Sequence, residues 1–336
     1  METAELPSLD RLCDEGVVAA VGRTPLVRLR QLFPGAEFSL FAKLEGANPG
    51  GSMKDRAAVG ALRAAIRRGD VTRDTVVLES SSGNMAIGLA QACGYLKIPL
   101  VCVLDRRATE RNVAILRAYG ARIEIVDPAS GGLLAARLRR VAELNREIEN
   151  SYWINQYANH DITVGYRETL HEAIASMGPI DRLFVPVGTC GLLRGCAEYL
   201  RDAGAHTEVV AVDAVGSVIF GGAPGRRLLP GHGAEVRPAL YSGDLAADVV
   251  HMTDVDCVRY CHRLVRTEGI LAGASSGAVL GAVDAYRDRI PAGARCLAIL
   301  SDRGERYLDT VFSPRWVAEE LGEDVAAGLF PGPSHG

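Results

Sequence analysis

The sequence predicts an α/β fold built from two three-layer domains with mostly parallel sheets. The chain has 336 residues, enough for one large or two moderate domains with a sizeable core. Continuous apolar segments alternate with segments of helical period along most of its length. The apolar segments form two clusters, one before about residue 127 and one after about residue 182. Because strands that are apolar throughout lie in parallel sheets with helices on both faces, each cluster predicts one domain, with a cleft between the two.

The first cluster contains four strand-like segments, each followed by a helix-like segment. The strand-like segments are short apolar runs such as Val76-Val77-Leu78, and the helix-like segments are longer. The strands are predicted at residues 39–45, 75–78, 99–104 and 121–126. The helices are predicted from about residue 55 onward and at residues 84–95, 109–119 and 132–149.

The second cluster repeats this pattern with strands at residues 183–187, 208–212 and 294–300 and a helix between the first two. Residues 216–243 differ, because they contain seven glycines as well as three prolines. A loop of this length in a compact protein is usually functional or disordered. The last six residues have the composition of a frayed tail.

Composition excludes several classes of function. The chain is 48% hydrophobic and 23% charged with a net charge of −4, which gives no reason to expect a nucleic acid or a membrane surface as partner. No run of eighteen apolar residues occurs, and the acidic start lacks a signal-peptide pattern.

The eight cysteines include no C-x-x-C pair, which favours buried free thiols in a reducing cytoplasm. Cys257 and Cys261 share a helical face beside His262, but no second ligand pair has zinc spacing, so no metal site is predicted.

Lys54 is the first candidate catalytic residue. The chain contains only three lysines against thirty-four arginines, and Lys54 follows the Gly50-Gly51 turn at the predicted start of a helix. A lysine amine can lose its proton and attack a carbonyl, whereas an arginine guanidinium cannot. The positive end of the helix favours the neutral amine, and an aldehyde cofactor is its natural partner. The alternative is a surface lysine without chemistry.

Three further segments lie where a predicted strand meets a helix or where a helix opens. Residues 79–86, Glu-Ser-Ser-Ser-Gly-Asn-Met-Ala, offer backbone N–H groups and hydroxyls to an anion such as a carboxylate, with N-capping as the alternative. Residues 187–195, Val-Gly-Thr-Cys-Gly-Leu-Leu-Arg-Gly, have the form of a phosphate-binding loop, with a plain glycine-rich turn as the alternative. In residues 273–278, a serine could cap the helix or contact a ring nitrogen.

In this order and spacing, the four segments resemble fold-type II enzymes that depend on pyridoxal phosphate, specifically the cysteine synthase and cystathionine β-synthase group. The resemblance runs from residues 22–26 to residues 301–308 and so covers most of the chain. It implies a tryptophan synthase β-like fold with a smaller mobile domain, a larger cofactor-binding domain and a tail. Their predicted bounds are residues 48–158 for the smaller domain, 1–47 plus 159–325 for the larger one and 326–336 for the tail. Homodimers are typical of the group, and we expect one here.

The resemblance also implies a role for individual residues. Lys54 would be the Schiff-base lysine and the proton shuttle, Asn84 would bind the ring oxygen of the cofactor, and Ser275 would face its pyridine nitrogen. A neutral serine there makes the ring a weaker electron sink, which suits β-elimination better than transamination. The cofactor phosphate would be bound by Gly188, Thr189, Cys190, Gly191 and Leu192. The substrate carboxylate would be bound by Ser81, Ser82, Gly83 and Met85, with Gln156 closing over it.

Within the group, the chain is similar to the branch that makes 2,3-diaminopropionate, which includes N-(2-amino-2-carboxyethyl)-L-glutamate synthases of siderophore pathways and relatives in peptide antibiotic pathways. Residues 152–157 and 216–221 and the Arg226-Arg227 pair carry this similarity. The chain differs from cysteine synthases in the carboxylate-binding segment, residues 81–86, and at Leu192, where cysteine synthases have threonine. His232 stands where relatives usually have an aliphatic residue.

The implied reaction is a β-replacement in which L-glutamate displaces the phosphate of O-phospho-L-serine. A phosphate leaving group needs a cation, for which Arg137 is the candidate, with a solvent-facing helical arginine as the alternative. The runner-up function is cysteine or cystathionine synthesis from O-acetylserine, O-phosphoserine or serine. A non-catalytic relative that binds pyridoxal phosphate is a third reading, against which the intact Lys54, Asn84 and Ser275 argue.

Overall fold

The computed structural model describes residues 8–127 and 132–330. Within this part of the chain there are ten strands, in chain order β1 Leu26–Leu29, β2 Ser39–Leu44, β3 Val76–Glu79, β4 Leu100–Asp105, β5 Arg122–Val126, β6 Ser151–Trp153, β7 Arg182–Pro186, β8 Glu208–Ala214, β9 Asp248–Met252 and β10 Arg295–Leu300. The helices of the same part are α1 Leu9–Leu12, α2 Gly16–Ala19, α3 Lys54–Arg68, α4 Asn84–Leu96, α5 Glu110–Ala118, α6 Gly132–Glu147, α7 Asp161–Met177, α8 Gly191–Asp202, α9 Asp254–Glu268, α10 Ala274–Ala285, α11 Pro314–Leu321 and α12 Glu323–Leu329.

The chain divides into two compact units, which confirms the predicted α/β class with parallel-rich sheets. Unit 1 consists of Met1–Arg23 and Asn48–Tyr166, and unit 2 consists of Thr24–Ala47 and Arg167–Gly336. Each unit contains one sheet, with four strands in unit 1 and six in unit 2. None of the described helices is both long and apolar enough to cross a bilayer.

The sheet of unit 1 is entirely parallel, in the order β5-β4-β3-β6. On one face, Leu78, Val101 and Val103 pack with Val141 and Leu144 of α6. Because side chains alternate along a strand, the intervening residues of β4 face the other way, and α4 packs against that strand. β4 is buried over its whole length, so it is the centre of the unit.

The sheet of unit 2 has the order β1-β2-β10-β7-β8-β9. All its neighbouring strands are parallel except β1 and β2, which are antiparallel. α10 lies against β7, β8, β9 and β10, and its residues from Ala274 to Val283 are all buried. A helix that is apolar on every side is a core helix, so α10 is at the centre of this unit.

The division differs from the predicted domain bounds at the N-terminus. Residues 1–23 group with unit 1 because their helices contact α3 and α4. Arg67 Nε lies 3.0 Å from Asp10 Oδ1, and Arg63 donates a 2.6 Å hydrogen bond to the carbonyl of Cys13. The predicted bounds place these residues in the larger domain instead.

The bounds also differ at residues 159–166 and in the predicted tail. α7 begins within unit 1, where Asp161 lies 2.8 Å from Arg68 Nη1, and the chain passes to unit 2 inside that helix. The predicted tail begins at residue 326, which lies inside α12, where Ala326 and Leu329 are buried. Residues 331–336 lie outside the described residues.

Three strands were not predicted: β1, β6 and β9. They have three to five residues each, and none of their residues is buried except Leu29 and Met252. Such short, half-exposed segments lack the continuous apolar run that identifies a buried parallel strand. The predicted buried cysteines are found, since all eight side chains are buried and none of them forms a disulfide.

Candidate active site

Lys54 stands at the start of a helix, as predicted. α3 begins at this residue, directly after a turn in which the N–H of Gly51 donates to the carbonyl of Asn48 at 2.8 Å. Gly51 has a φ of 87°, which favours glycine. The N–H of Lys54 donates to Ser52 Oγ at 3.1 Å. The turn thus holds the backbone of Lys54 at the positive end of α3.

The amine of Lys54 lies near an aromatic ring of the same unit. Its Nζ is 5.8 Å from the ring centroid of Tyr166, which is fully buried. Helix α7 passes close to α3 at the preceding residue, Gly165. A Cβ at this position would lie only 2.1 Å from the carbonyl oxygen of Arg56 in α3. Only glycine permits this approach. The crossing of the two helices therefore brings Tyr166 beside Lys54, where the ring face attracts a cation.

The serine loop, which we define as residues 80–84, joins β3 to α4. Gly83 is the N-cap residue of α4, and no side chain caps the helix. The alternative in which a serine or asparagine serves only as N-cap is therefore wrong. Ser81 Oγ accepts the N–H of Gly83 at 3.3 Å, and Met85 is 2% exposed. The predicted carboxylate-binding residues Ser81, Ser82, Gly83 and Met85 thus share one strand-to-helix junction with Asn84.

Gln156 lies against the beginning of the serine loop. Its Nε2 is 3.3 Å from both Glu79 Oε1 and the carbonyl oxygen of Ser80. Glu79 Oε1 also accepts the N–H of Ser80 at 2.9 Å. Burial raises the pKa of Glu79 to about 7, against the opposing effects of these hydrogen bonds and of the positive charge of Arg137. The structure thus brings Gln156 and the serine loop together, although they are more than seventy residues apart in the sequence.

Arg137 is anchored inside unit 1 and is not the solvent-facing arginine of the alternative reading. Its side chain is 11% exposed, and its Nε lies 3.1 Å from Oδ2 of Asp105, the last residue of β4. Its positive charge acts on Glu79, the last residue of β3. Arg137 therefore lies at the carboxyl edge of the sheet, where the serine loop begins.

Sequence reasoning did not identify Glu79 and Asp105 as members of this site. Both are fully or almost fully buried, and each ends a buried strand of the same parallel sheet. The signal was available, because a carboxylate that ends an apolar strand is rare in a core and parallel strands end at one edge. What the sequence could not supply was the proximity of these two carboxylates to Arg137.

The glycine loop, which we define as residues 187–192, joins β7 to α8 in unit 2. Cys190 is the N-cap residue of α8, with a left-handed φ of 64° and no side-chain capping bond. The loop is held from two sides, since Val187 N–H donates to Val212 and its carbonyl accepts from Gly233. The first turn of α8 follows at once, so its N–H groups lie directly after the loop, where the sequence predicts an anion site. The predicted phosphate-binding residues, Gly188, Thr189, Cys190, Gly191 and Leu192, all lie here.

Ser275 belongs to the first turn of α10 and is 1% exposed. It lies against the long glycine-rich segment, because a Cβ on Gly231 would be 3.3 Å from Ser275 Oγ. The same segment reaches the glycine loop, since a Cβ on Gly188 would be 3.6 Å from the carbonyl oxygen of Gly231. Unit 2 therefore brings the glycine loop and Ser275 together around Gly231, which belongs to the segment 216–243.

His232 is buried beside these residues as a neutral side chain. It is 1% exposed, its Nε2 lies 3.5 Å from Cys257 Sγ, and its Nδ1 has no hydrogen-bond partner among the described residues. Burial, with a smaller contribution from the charge of Arg227, lowers the pKa of His232 to about 4. The imidazole therefore carries no charge at neutral pH.

Replacing His232 by isoleucine should remove part of the acid sensitivity of unit 2. The folded protein holds this imidazole neutral while the unfolded chain protonates it, so stability is lost as the pH falls from 6.5 to about 4. The loss should reach about 3 kcal/mol at the acid end. Urea unfolding at pH 7 and pH 4.5 in a Trp153→Phe background, followed by the fluorescence of Trp316 in unit 2, measures it. His206→Asn, at an exposed histidine of the same unit, is the control and should keep the acid loss; a His232→Ile protein with an unchanged acid loss would contradict the assignment.

Comparison with known proteins agrees with this architecture. A family model described as pyridoxal-phosphate dependent enzyme matches residues 17–302. A hydrogen sulfide-producing enzyme from Fusobacterium nucleatum is 30% identical with a TM-score of 0.82, and the match covers 87% of this chain and 99% of that one. An O-ureido-L-serine synthase is 27% identical with a TM-score of 0.81 and coverages of 99% and 97%. An O-acetylserine dependent cystathionine β-synthase from Helicobacter pylori is 27% identical with a TM-score of 0.81 and coverages of 92% and 99%.

Proposed function

Because this chain belongs to the pyridoxal-phosphate dependent enzyme family, we propose that it joins O-phospho-L-serine and L-glutamate into N-(2-amino-2-carboxyethyl)-L-glutamate and phosphate. The family assignment establishes pyridoxal phosphate as the cofactor and small amino acids as the class of substrate. The particular donor, acceptor and product are the proposal. The product would lead to L-2,3-diaminopropionate for a siderophore or a peptide natural product. We propose that the enzyme is a cytoplasmic homodimer.

The residues of this chain fit the cofactor. In unit 2, the glycine loop opens onto the first turn of α8, and the left-handed Cys190 leaves that turn without a side-chain cap. Backbone N–H groups in this arrangement suit a phosphate. We propose that Gly188, Thr189, Cys190, Gly191 and Leu192 bind the phosphate, Ser275 the pyridine nitrogen, and Asn84 the ring oxygen.

Lys54 would move the proton in the reaction. When bound, pyridoxal phosphate withdraws electrons from Cα of the amino acid, which weakens its bond to hydrogen. The Nζ of Lys54 accepts this proton and later returns it to Cα, while the serine loop and Gln156 hold the carboxylate of the substrate. The C–O bond from Cβ to phosphate breaks, and a bond from Cβ to the amine nitrogen of glutamate forms. That nitrogen releases a proton to the solvent.

One observation carries the choice of a phosphorylated donor: the anchored guanidinium of Arg137 beside the serine loop. Its Nε lies 3.1 Å from Asp105 Oδ2, and among the described residues no hydrogen bond is found to its two Nη groups. A guanidinium that presents two parallel donors matches a phosphate. The choice of glutamate as acceptor depends on the resemblance carried by residues 152–157 and 216–221.

Cysteine or cystathionine synthesis is the second candidate function. It is favoured by the activities named for two similar proteins, a hydrogen sulfide-producing enzyme and an O-acetylserine dependent cystathionine β-synthase. Their identities of 30% and 27% leave room for a different acceptor. The two candidates differ in the nucleophile, because sulfide and homocysteine carry a thiol where glutamate carries an amine.

A matrix of donors and acceptors tests the choice. The purified holoenzyme is incubated with O-phospho-L-serine, O-acetyl-L-serine or L-serine, each with L-glutamate, sulfide or homocysteine, and products are identified by mass. We expect the highest kcat/KM for O-phospho-L-serine with L-glutamate, by at least about 10²-fold over the other pairs. Phosphate release that requires sulfide and does not respond to glutamate would reject this function in favour of the second candidate.

A further inference from the structure

We infer that Asp105 is a positioning residue that holds the guanidinium of Arg137 in place to receive the phosphate group of the donor. This inference rests on the proposed function, since it requires a phosphorylated donor. Asp105 ends β4 and is 2% exposed. Its carboxylate is held on the protein side, because Oδ1 accepts the backbone N–H of Arg107 at 2.8 Å. Oδ2 is then the oxygen that faces Arg137, at 3.1 Å from Nε.

The contact between the two side chains is an ion pair. The N–H of Arg137 Nε is not directed closely enough at Oδ2 to make a hydrogen bond, although the two atoms are 3.1 Å apart. Attraction between the charges therefore holds the guanidinium close to the carboxylate of Asp105, while the guanidinium can still rotate to some extent. Among the described residues no hydrogen bond is found to the Nη groups of Arg137, so these groups can serve as bidentate donors to a ligand.

The surroundings make Asp105 the principal counter-charge of Arg137. The other acidic group on which Arg137 acts is Glu79, whose Oε1 is engaged by Ser80 and Gln156. Arg107 also approaches Asp105, at 3.6 Å, but its side chain is 59% exposed and can turn into the solvent. A buried arginine without its carboxylate would lose both its orientation and its charge compensation. The guanidinium would then still be present, but it would no longer be positioned to bind the phosphate group of the donor.

The test compares Asp105→Asn with Arg137→Leu and with the double variant. Asparagine keeps the size of the side chain and can still accept the N–H of Arg107, while it removes the charge. Binding of O-phospho-L-serine and of L-serine to the holoenzyme is titrated through the absorbance of the bound cofactor, and inorganic phosphate is measured as an inhibitor. Asp127→Asn is the matched control, because Asp127 follows the neighbouring strand β5 and pairs with Arg106 in an exposed ion pair.

We expect Asp105→Asn to raise the half-saturating concentration of O-phospho-L-serine and the inhibition constant of phosphate about tenfold each. Binding of L-serine, which lacks the phosphate, should change less than about twofold. Because Asp105 acts through Arg137, the double variant should equal Arg137→Leu alone and not add to it. If the asparagine variant does not fold, Asp105→Glu replaces it and should lie between the wild type and Arg137→Leu for O-phospho-L-serine.

The outcomes separate this inference from the proposed function. If Arg137→Leu loses O-phospho-L-serine binding while Asp105→Asn behaves like Asp127→Asn, Arg137 keeps its role and the inference about Asp105 fails. Equal loss of O-phospho-L-serine and L-serine binding in Asp105→Asn, or tighter binding of phosphate, also overturns the inference. If Arg137→Leu binds O-phospho-L-serine as the wild type does, Arg137 does not receive the phosphate and the inference about Asp105 fails with it, while the donor itself is still judged by the substrate matrix.

Discussion

Replacing Lys54 by arginine is expected to abolish β-replacement, with a loss of at least about 10³-fold in kcat. Arginine keeps the positive charge at the start of α3 and the attraction to the ring of Tyr166, 5.8 Å away. It cannot form the covalent bond to the aldehyde, and it cannot accept the α-proton at neutral pH. The measurement is product formation from O-phospho-L-serine and L-glutamate by the Lys54→Arg protein with added cofactor.

Covalent chemistry provides a second readout for Lys54 that does not depend on turnover. Borohydride treatment of the wild-type holoenzyme should add the mass of the reduced cofactor to the peptide that contains Lys54. Lys97→Arg is the control, because Lys97 is an exposed lysine at the end of α4. This control should retain both the activity and the labelled peptide. A colourless wild-type protein whose Lys54 peptide keeps its mass after borohydride would contradict the assignment.

Replacing Lys43 by methionine should be the most destabilising single change among the three lysines, by about 3 kcal/mol. Lys43 lies in β2 between Leu26 of β1 and Ile299 of β10 and is 1% exposed. Its Nζ donates to the carbonyl of Thr24 at 2.5 Å and lies 2.6 Å from Glu172 Oε2. Removal of the amine leaves a carboxylate that is only 18% exposed without this partner.

The stability of unit 2 can be followed separately because the chain has two tryptophans, one in each unit. In a Trp153→Phe background, the fluorescence of Trp316 reports unit 2, and urea unfolding gives its midpoint. The Lys43→Met and Glu172→Gln double variant should recover part of the loss, since the charge of the carboxylate is then removed together with that of the amine. Arg226→Met is the matched control, because Arg226 pairs with Glu320 at the surface and should change stability by less than about 1 kcal/mol. A Lys43→Met midpoint equal to that of the control would show that the buried pair contributes little.

These two lysines illustrate how sequence and structure divide the information. The sequence places Lys54 after a glycine turn at a helix start, and the structure finds α3 beginning at that residue. The sequence contains no local sign that Lys43 is buried against Glu172, which is 129 residues away. Both lysines are conspicuous because the chain has few lysines and many arginines, but only Lys54 lies in a local motif.

Local signals explain what the sequence determined by itself. The helix starts at Asn84, Gly191 and Ala274 follow apolar strands or glycine turns, and such signals act over a few residues. The two α/β units, their parallel sheets and the segments that carry the candidate site could therefore be predicted. Arg137 could be named as a candidate, but its burial could not be decided, because a helical arginine has the same local pattern whether it faces water or a carboxylate.

Tertiary structure alone decided the partners of these segments. It brought Asp105 to Arg137, Glu79 to Gln156, and Gly231 between Gly188 and Ser275. It also grouped residues 1–23 with unit 1 and gave His232 its buried, neutral state. These outcomes depend on which distant segments pack together and exclude water. Burial and pairing set the charge of a side chain, and neither is encoded within its immediate neighbours.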